Sequence, residues 1–132
     1  MIPPSSLKNF FLKLSGIKIG RKVFVGQNVT FIDGYIQGSI TLEDNCVVSP
    51  RAILVSLAYP NTSNLRLDDT LTKFSPIVVE KNSWIGSNAC ILPGGSIAQS
   101  SVLGAGSVLT KKVPSGEIWA GNAAKKIRDL KR

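Results

Sequence analysis

From Val79 onward a branched aliphatic side chain recurs at every sixth position, as Val79, Ile85, Ile91, Ile97, Leu103 and Leu109. The fifth position of each hexad is small (Ser83, Ala89, Gly95, Ser101 and Ser107) until the large Val113 breaks the series. A period of six fits neither the 3.6-residue repeat of a helix nor the two-residue alternation of a plain strand. It fits a triangular coil in which each hexad supplies one side. The aliphatic then points into a prism, the small residue sits where the chain turns a corner, and Asn, Gly and Ser supply the turn geometry. Successive coils would pair their backbones at about 4.8 Å.

The same phase runs upstream. Ile19, Val25 and Phe31 form one set, with Val23 and Val29 at the fifth position; Leu42, Val48 and Leu54 form another, with Cys46 and Ala52. The segment IDGYIQGSIT between them carries a small insertion. A longer break runs from Ser56 to Ser75, where Pro60, Asn61, Asn64, Asp68 and Asp69 suit solvent better than a strand ladder. It reads as a loop thrown out of a coil, and long loops on rigid scaffolds often carry function.

Near the N-terminus Leu7, Phe10, Phe11 and Leu14 recur at helical spacing, with Ser6 as a candidate N-cap and Gly16 as a stop. This predicts a helix that caps the open end of the prism, with a membrane-surface helix as the weaker alternative. The expected organisation is one domain over 1–132. It comprises a capping helix in 1–16, coils over 17–118 with the loop 56–75 extruded, and a basic C-terminal segment over 119–132.

Composition agrees with β structure, since Val, Ile, Gly and Ser are all abundant. Cys46 and Cys90 have no C-x-x-C spacing and read as reduced, buried thiols of a cytoplasmic protein. No apolar run resembles a signal peptide or could span a bilayer. A short solenoid of about four coils buries little per chain, so flat apolar sides favour a symmetric oligomer, and three sides favour a homotrimer.

The net charge of +8 calls for an anionic partner: nucleic acid, an acidic membrane or a phosphorylated small molecule. Lys125, Lys126, Arg128, Lys131 and Arg132 crowd the last eight positions without interleaved aromatics, which disfavours nucleic acid.

The phrases WIGSNACILPG and GAGSVLTKKVP, followed by AGNAAK, are more specific than hexads alone. With IGRKVFVGQNVTFID upstream, nearly the whole chain resembles the hexapeptide-repeat acyltransferases, in particular the galactoside, maltose and nodulation-factor O-acetyltransferase branch. The resemblance implies an all-β fold, a left-handed parallel β-helix, and a homotrimer. Periodicity alone gives no hand, and ordinary parallel crossovers are right-handed.

The resemblance also implies acetyl-CoA as acyl donor, in a groove between adjacent prisms. It assigns contacts to Ser87, Ala105, Thr110 and Lys111, puts Lys125 and Arg128 near the phosphates, and makes Trp84 a groove wall. Small side chains would let a slender pantetheine arm approach the backbone, and cations suit a diphosphate and a 3′-phosphate.

The acceptor side departs from the family pattern. A histidine base is expected at the start of the extruded loop, but YPNTSNLR has Tyr59 there while keeping Pro60, Leu65 and Arg66. Two acceptor positions, usually Asn and Asp, are Gly26 and Gly34, with Asp33 adjacent. The chain contains no histidine, so a homotrimer could not lend one. Tyr59 and Asp33 are the candidate catalytic residues, with Asp68 and Asp69 behind them. A phenol, ionising near pH 10, is a poor base at neutral pH, whereas an amine acceptor needs less help.

The combined reading is a CoA-dependent acyltransferase, taken as acetyl, acting on a sugar or nucleotide-sugar in surface polysaccharide biosynthesis. The alternative is a non-catalytic trimeric β-helix module that retains CoA binding or a structural role. No metal is expected: zinc carbonic anhydrases of this fold bind through imidazoles, and two scattered cysteines cannot replace a three-ligand site.

Overall fold

All six inward aliphatics from Val79 to Leu109 are fully buried, and the chain winds as a left-handed parallel β-helix with one short helix at its start. The computed structural model describes residues 4–131. The first three positions of the expected capping segment and the tail cation Arg132 lie outside the described residues.

Three parallel sheets form the sides of the prism. The first face stacks Lys18–Ile19, Ile40–Leu42, Ile77–Val79, Ser96–Ile97 and Lys112–Val113. The second stacks Phe24–Val25, Val47–Val48, Trp84–Ile85, Val102–Leu103 and Glu117–Ala120, and then adds Lys125–Asp129 antiparallel. The third stacks Thr30–Ile32, Ile53–Val55, Cys90–Ile91 and Val108–Leu109. Register keeps like with like: Val79 pairs with Ile97, Ile85 with Leu103, and Ile91 with Leu109. Each fully buried aliphatic contributes about 1.5–3 kcal/mol.

The corners explain the polar part of the hexad. Lys22, Asn45, Asn82 and Ser100 take positive φ between the first and second faces, and Asn28, Arg51 and Asn88 do so between the second and third. Asn tolerates this left-handed conformation better than most residues. Fifth-position serines do more than fit. Ser101 Oγ donates to the Ala98 carbonyl at 2.5 Å and Ser107 Oγ to the Gly104 carbonyl at 2.6 Å, satisfying acceptors at the turns.

Four local expectations change. Val113 is not a misfit at a corner: it is fully buried and pairs with Ile97, so it acts as the inward aliphatic of a shortened coil. The helix runs Pro4–Leu14, so Ser6 lies inside it and is not its N-cap. The basic C-terminal segment, read from the sequence only as a cluster of cations, contains a strand: Lys125–Asp129 completes a ladder on Glu117–Ala120. Only Cys46 is buried. Cys90 points outward on the third face and is half-buried, and both thiols are free.

The helix meets the first coil with Lys8, Asn9 and Leu12. Lys8 Nζ donates to the carbonyls of Val25 and Gly26 at 3.1 and 3.2 Å, and Asn9 Nδ2 donates to that of Val23 at 2.9 Å. Those carbonyls lie on the first coil, and among the described residues no further coil lies beyond it to supply donors. Leu12 packs against the core, whereas Leu7, Phe10, Phe11 and Leu14 are exposed.

The loop also has internal order. Leu57–Ala58 pairs antiparallel with Lys73–Phe74, and two single-turn 3-10 helices, Asn64–Leu67 and Asp69–Leu71, lie between them. Ser56 is fully buried at the base, 2.8 Å hydroxyl to hydroxyl from Ser39. Among the described residues no helix is long and apolar enough to cross a membrane, and no cluster of side chains could hold a metal ion.

Candidate active site

Both departures from the hexad leave the prism at the same corner, between the third and first faces. The strand Thr30–Ile32 delivers Asp33 there, and Leu57–Ala58 delivers Tyr59. Asp33 and Tyr59 line one cavity of about 230 Å³ with Phe31, Ile32, Gly34 and Tyr35. Tyr59 is half-exposed and free to meet a ligand. One carboxylate oxygen of Asp33 accepts the Tyr35 N–H at 2.9 Å, so the residue also shapes the turn.

Asp68 has a different task. Its Oδ1 accepts from the Thr70 N–H at 3.0 Å and from the Thr70 hydroxyl at 2.6 Å, and these bonds hold its carboxyl below the usual range. Asp69 begins the next helical turn. Neither Asp68 nor Asp69 lines the cavity of Tyr59.

The two glycines at acceptor positions differ in kind. A Cβ on Gly26 would stand 2.6 Å from the Pro50 nitrogen, so backbone packing forbids a side chain there. Gly34 takes φ +61°, and a Cβ there would run into the Leu57 side chain. A ligand at either position would meet main-chain groups.

The candidate coenzyme contacts occupy four regions. Trp84 stands half-exposed on the second face, where its indole N–H donates to Ser49 Oγ at 3.0 Å. Ser87 follows at the corner toward the third face, and Ala105 lies one coil above it, with the Gly106 N–H on the Ser87 carbonyl at 2.9 Å. Gly86 permits this closeness, since a Cβ there would be 2.5 Å from the Ala105 nitrogen. Thr110 and Lys111 are exposed at the opposite edge of the third face. Lys125 and Arg128 project from the last strand, opposite Ala120 and Ile118.

Within one chain these seven residues do not share a cavity. Ser87 lines a separate recess of about 290 Å³ with Gln27, Asn28, Pro50, Arg51 and Asn88. Among the described residues no carboxylate pairs with Lys111, Lys125 or Arg128, which leaves their charge available to an anion. Sequence reasoning missed Arg51 and Tyr35. Arg51 stands in the corner slot that Asn28 and Asn88 occupy, so stacking the hexads would have located it beside Ser87.

Comparison with known proteins agrees with this geometry. The family described as hexapeptide repeat of succinyl-transferase matches residues 16–49 and 76–111. The galactoside O-acetyltransferase of Escherichia coli K12 is 36% identical over 121 residues, covering 92% of this chain and 58% of that protein. The chain thus spans little more than half the length of this relative. A hexapeptide-repeat acetyltransferase of Vibrio cholerae, solved with acetyl coenzyme A, superposes with TM-score 0.75 at 31% identity, covering 89% of this chain and 62% of that one. A galactoside acetyltransferase in complex with coenzyme A superposes with TM-score 0.70 at 25% identity, covering 98% and 74%.

Proposed function

The chain belongs to the hexapeptide-repeat transferase family, and from that premise we propose that it is a CoA-dependent acetyltransferase acting on a sugar or nucleotide-sugar. The observation that carries this reading is the cavity shared by Tyr59 and Asp33 at the base of the extruded loop, in a scaffold whose relatives include acetyl-CoA-bound transferases. The product belongs to surface polysaccharide biosynthesis, and the reaction runs in the cytoplasm, where free thiols such as Cys46 and Cys90 persist.

The working unit is a homotrimer. Outward positions on the second face are apolar (Phe24, Val47, Trp84, Val102, Ile118), and those on the third face include Ile53, Cys90 and Val108. Such faces favour burial against another copy. An intersubunit groove would unite residues that a single prism keeps apart. Ser87 and Ala105 line one wall, Thr110 and Lys111 of a neighbour line the other, and Lys125 and Arg128 meet the phosphates.

In the reaction the acceptor attacks the thioester carbonyl, and the coenzyme thiolate leaves and takes up a proton. With no histidine in the chain, the acceptor best served is an amine bound in its neutral form. The lone pair then needs no base before attack, and Asp33 can take the proton afterward. Acetyl-CoA incubated with matched amino- and hydroxy-sugars tests this through release of free coenzyme A. Turnover on the amine is expected. Coenzyme binding without any turnover would instead favour the non-catalytic module, which the missing histidine makes the second reading.

A further inference from the structure

The helix Pro4–Leu14 presents its apolar stripe away from the protein. Leu7 is 45% exposed, Phe10 56%, Phe11 59% and Leu14 68%, whereas the side toward the prism is fastened by Lys8, Asn9 and Leu12. An amphipathic surface helix normally does the reverse. The polar bonds to the first coil fix this orientation, so the stripe cannot rotate inward without losing them.

Cations flank the stripe on the side of Phe10. Phe10 shares a cleft of about 600 Å³ with Lys13, Arg21 and Lys22, and Lys18 is exposed on the adjoining strand. The carboxylate of Asp44 at this cleft is engaged, since its Oδ1 accepts the Arg21 N–H at 2.8 Å. No Asp or Glu precedes Asp33 in the sequence. Among the described residues Lys13, Lys18, Arg21 and Lys22 form no ion pair.

From this we infer that the helix end of the prism docks on an anionic lipid bilayer, with Phe10, Phe11, Leu7 and Leu14 in the acyl boundary and Lys13, Lys18, Arg21 and Lys22 on the headgroups. Charge complementarity selects this occupant: exposed apolar side chains flanked by unpaired cations match an acidic interface. A second copy of the same basic end would bring like charges together. If three copies associate about one axis, symmetry turns all three stripes to the same side, and avidity adds to a weak single contact.

The test is co-sedimentation of the full chain with vesicles of phosphatidylcholine alone and of phosphatidylcholine with phosphatidylglycerol. Binding is expected to the mixed vesicles, and to weaken on adding salt. Phe10→Ser combined with Phe11→Ser should lower it about tenfold or more. Lys13→Gln with Lys22→Gln should erase the preference for the anionic vesicles. Helical content and coenzyme A affinity, read on every variant, should stay at parent values because these side chains lie outside the core. Absence of binding to the anionic vesicles overturns the inference. So does binding unchanged in the double phenylalanine variant, or a drop in oligomeric mass in that variant without vesicle binding by the parent, which would assign the stripe to another copy.

Discussion

Ile97 pairs with Val79 on the first face, and both side chains are fully buried in the same column of the core. Val113 continues the column on the other side of Ile97. A residue held between two others in a rigid stack cannot be shortened without leaving space. Ile97→Ala should therefore cost about 2–5 kcal/mol, read as a lower denaturant midpoint. On the third face, Ile91→Asp would bury an unpaired charge and should prevent folding. A soluble Ile91→Asp protein with unchanged oligomeric mass would refute the inward assignment.

Gly86 gives a second packing test, at a corner instead of a core column. A Cβ would press on the Ala105 backbone nitrogen, an atom held by the coil and unable to swing aside. Gly86→Ala should lower thermal stability more than Gly106→Ala, although Gly106 has the less tolerant φ of +69°, because a Cβ at 106 meets nothing within 4 Å. Equal melting temperatures for the two variants would mean that the coils can separate at this corner.

Much of this architecture was legible because the hexad reports burial directly: a branched aliphatic that recurs every sixth residue has one place to go. Val113 was misread because a shortened coil moves the chain out of phase without changing residue type. The facing of the helix stripe was not legible for another reason. Its direction is decided by Lys8 and Asn9 answering end carbonyls of the first coil, and hydrophobic periodicity carries no record of such bonds. At the candidate site, the phase break at Ser56 located the loop, and Tyr59 and Asp33 line one cavity at its base. The scatter of the coenzyme candidates follows from the three-sided shape, which separates residues close in sequence onto different edges.

Coenzyme A should bind the parent at low salt and bind less well as salt is added, because Lys125 and Arg128 have no competing carboxylate partners among the described residues. Replacing both by Gln should weaken binding further and flatten the salt dependence. Lys126→Gln is the control, since Lys126 is already engaged by Asp129 at 3.0 Å and Glu117 at 3.7 Å. Calorimetry showing equal losses for the control and the double variant would remove the assignment of Lys125 and Arg128 to phosphates.

The buried thiol of Cys46 predicts a specific alkaline weakness. Burial, helped by the nearby carboxylates Glu43 and Asp44, pushes it up from 9.0 to about 12. Above pH 9 the unfolded chain loses this proton while the native chain keeps it, so unfolding is favoured as pH rises toward about 12. The stability is intact below pH 9 and declines by roughly 1.4 kcal/mol per pH unit within that window. Cys46→Ala removes the linkage at the cost of some packing. Its urea midpoint should fall less steeply than the parent's between neutral and strongly alkaline pH, and parallel slopes would contradict the assignment.

The sharpest prediction concerns Tyr59. Tyr59 lines the cavity with Asp33 at the root of the loop, and under the proposed function this is where a general base would serve a hydroxyl acceptor. A phenol is protonated at neutral pH in its ordinary state and is a weak base, so hydroxy-sugars should be slow substrates for the parent. Amino-sugars should be faster, with a rate that rises with pH until the acceptor amine is neutral. Tyr59→His supplies a group that accepts a proton near neutral pH, and should raise O-acetylation by about 10²–10⁴-fold, the range of a positioned general base. N-acetylation should change far less, since the neutral amine attacks without prior proton removal. Asp33→Asn in the Tyr59→His background separates proton handling from shape, because the amide can still accept the Tyr35 N–H that the carboxylate now holds. A parent already fast on hydroxy-sugars, with Tyr59→His no faster, would place the reacting centre elsewhere on the prism.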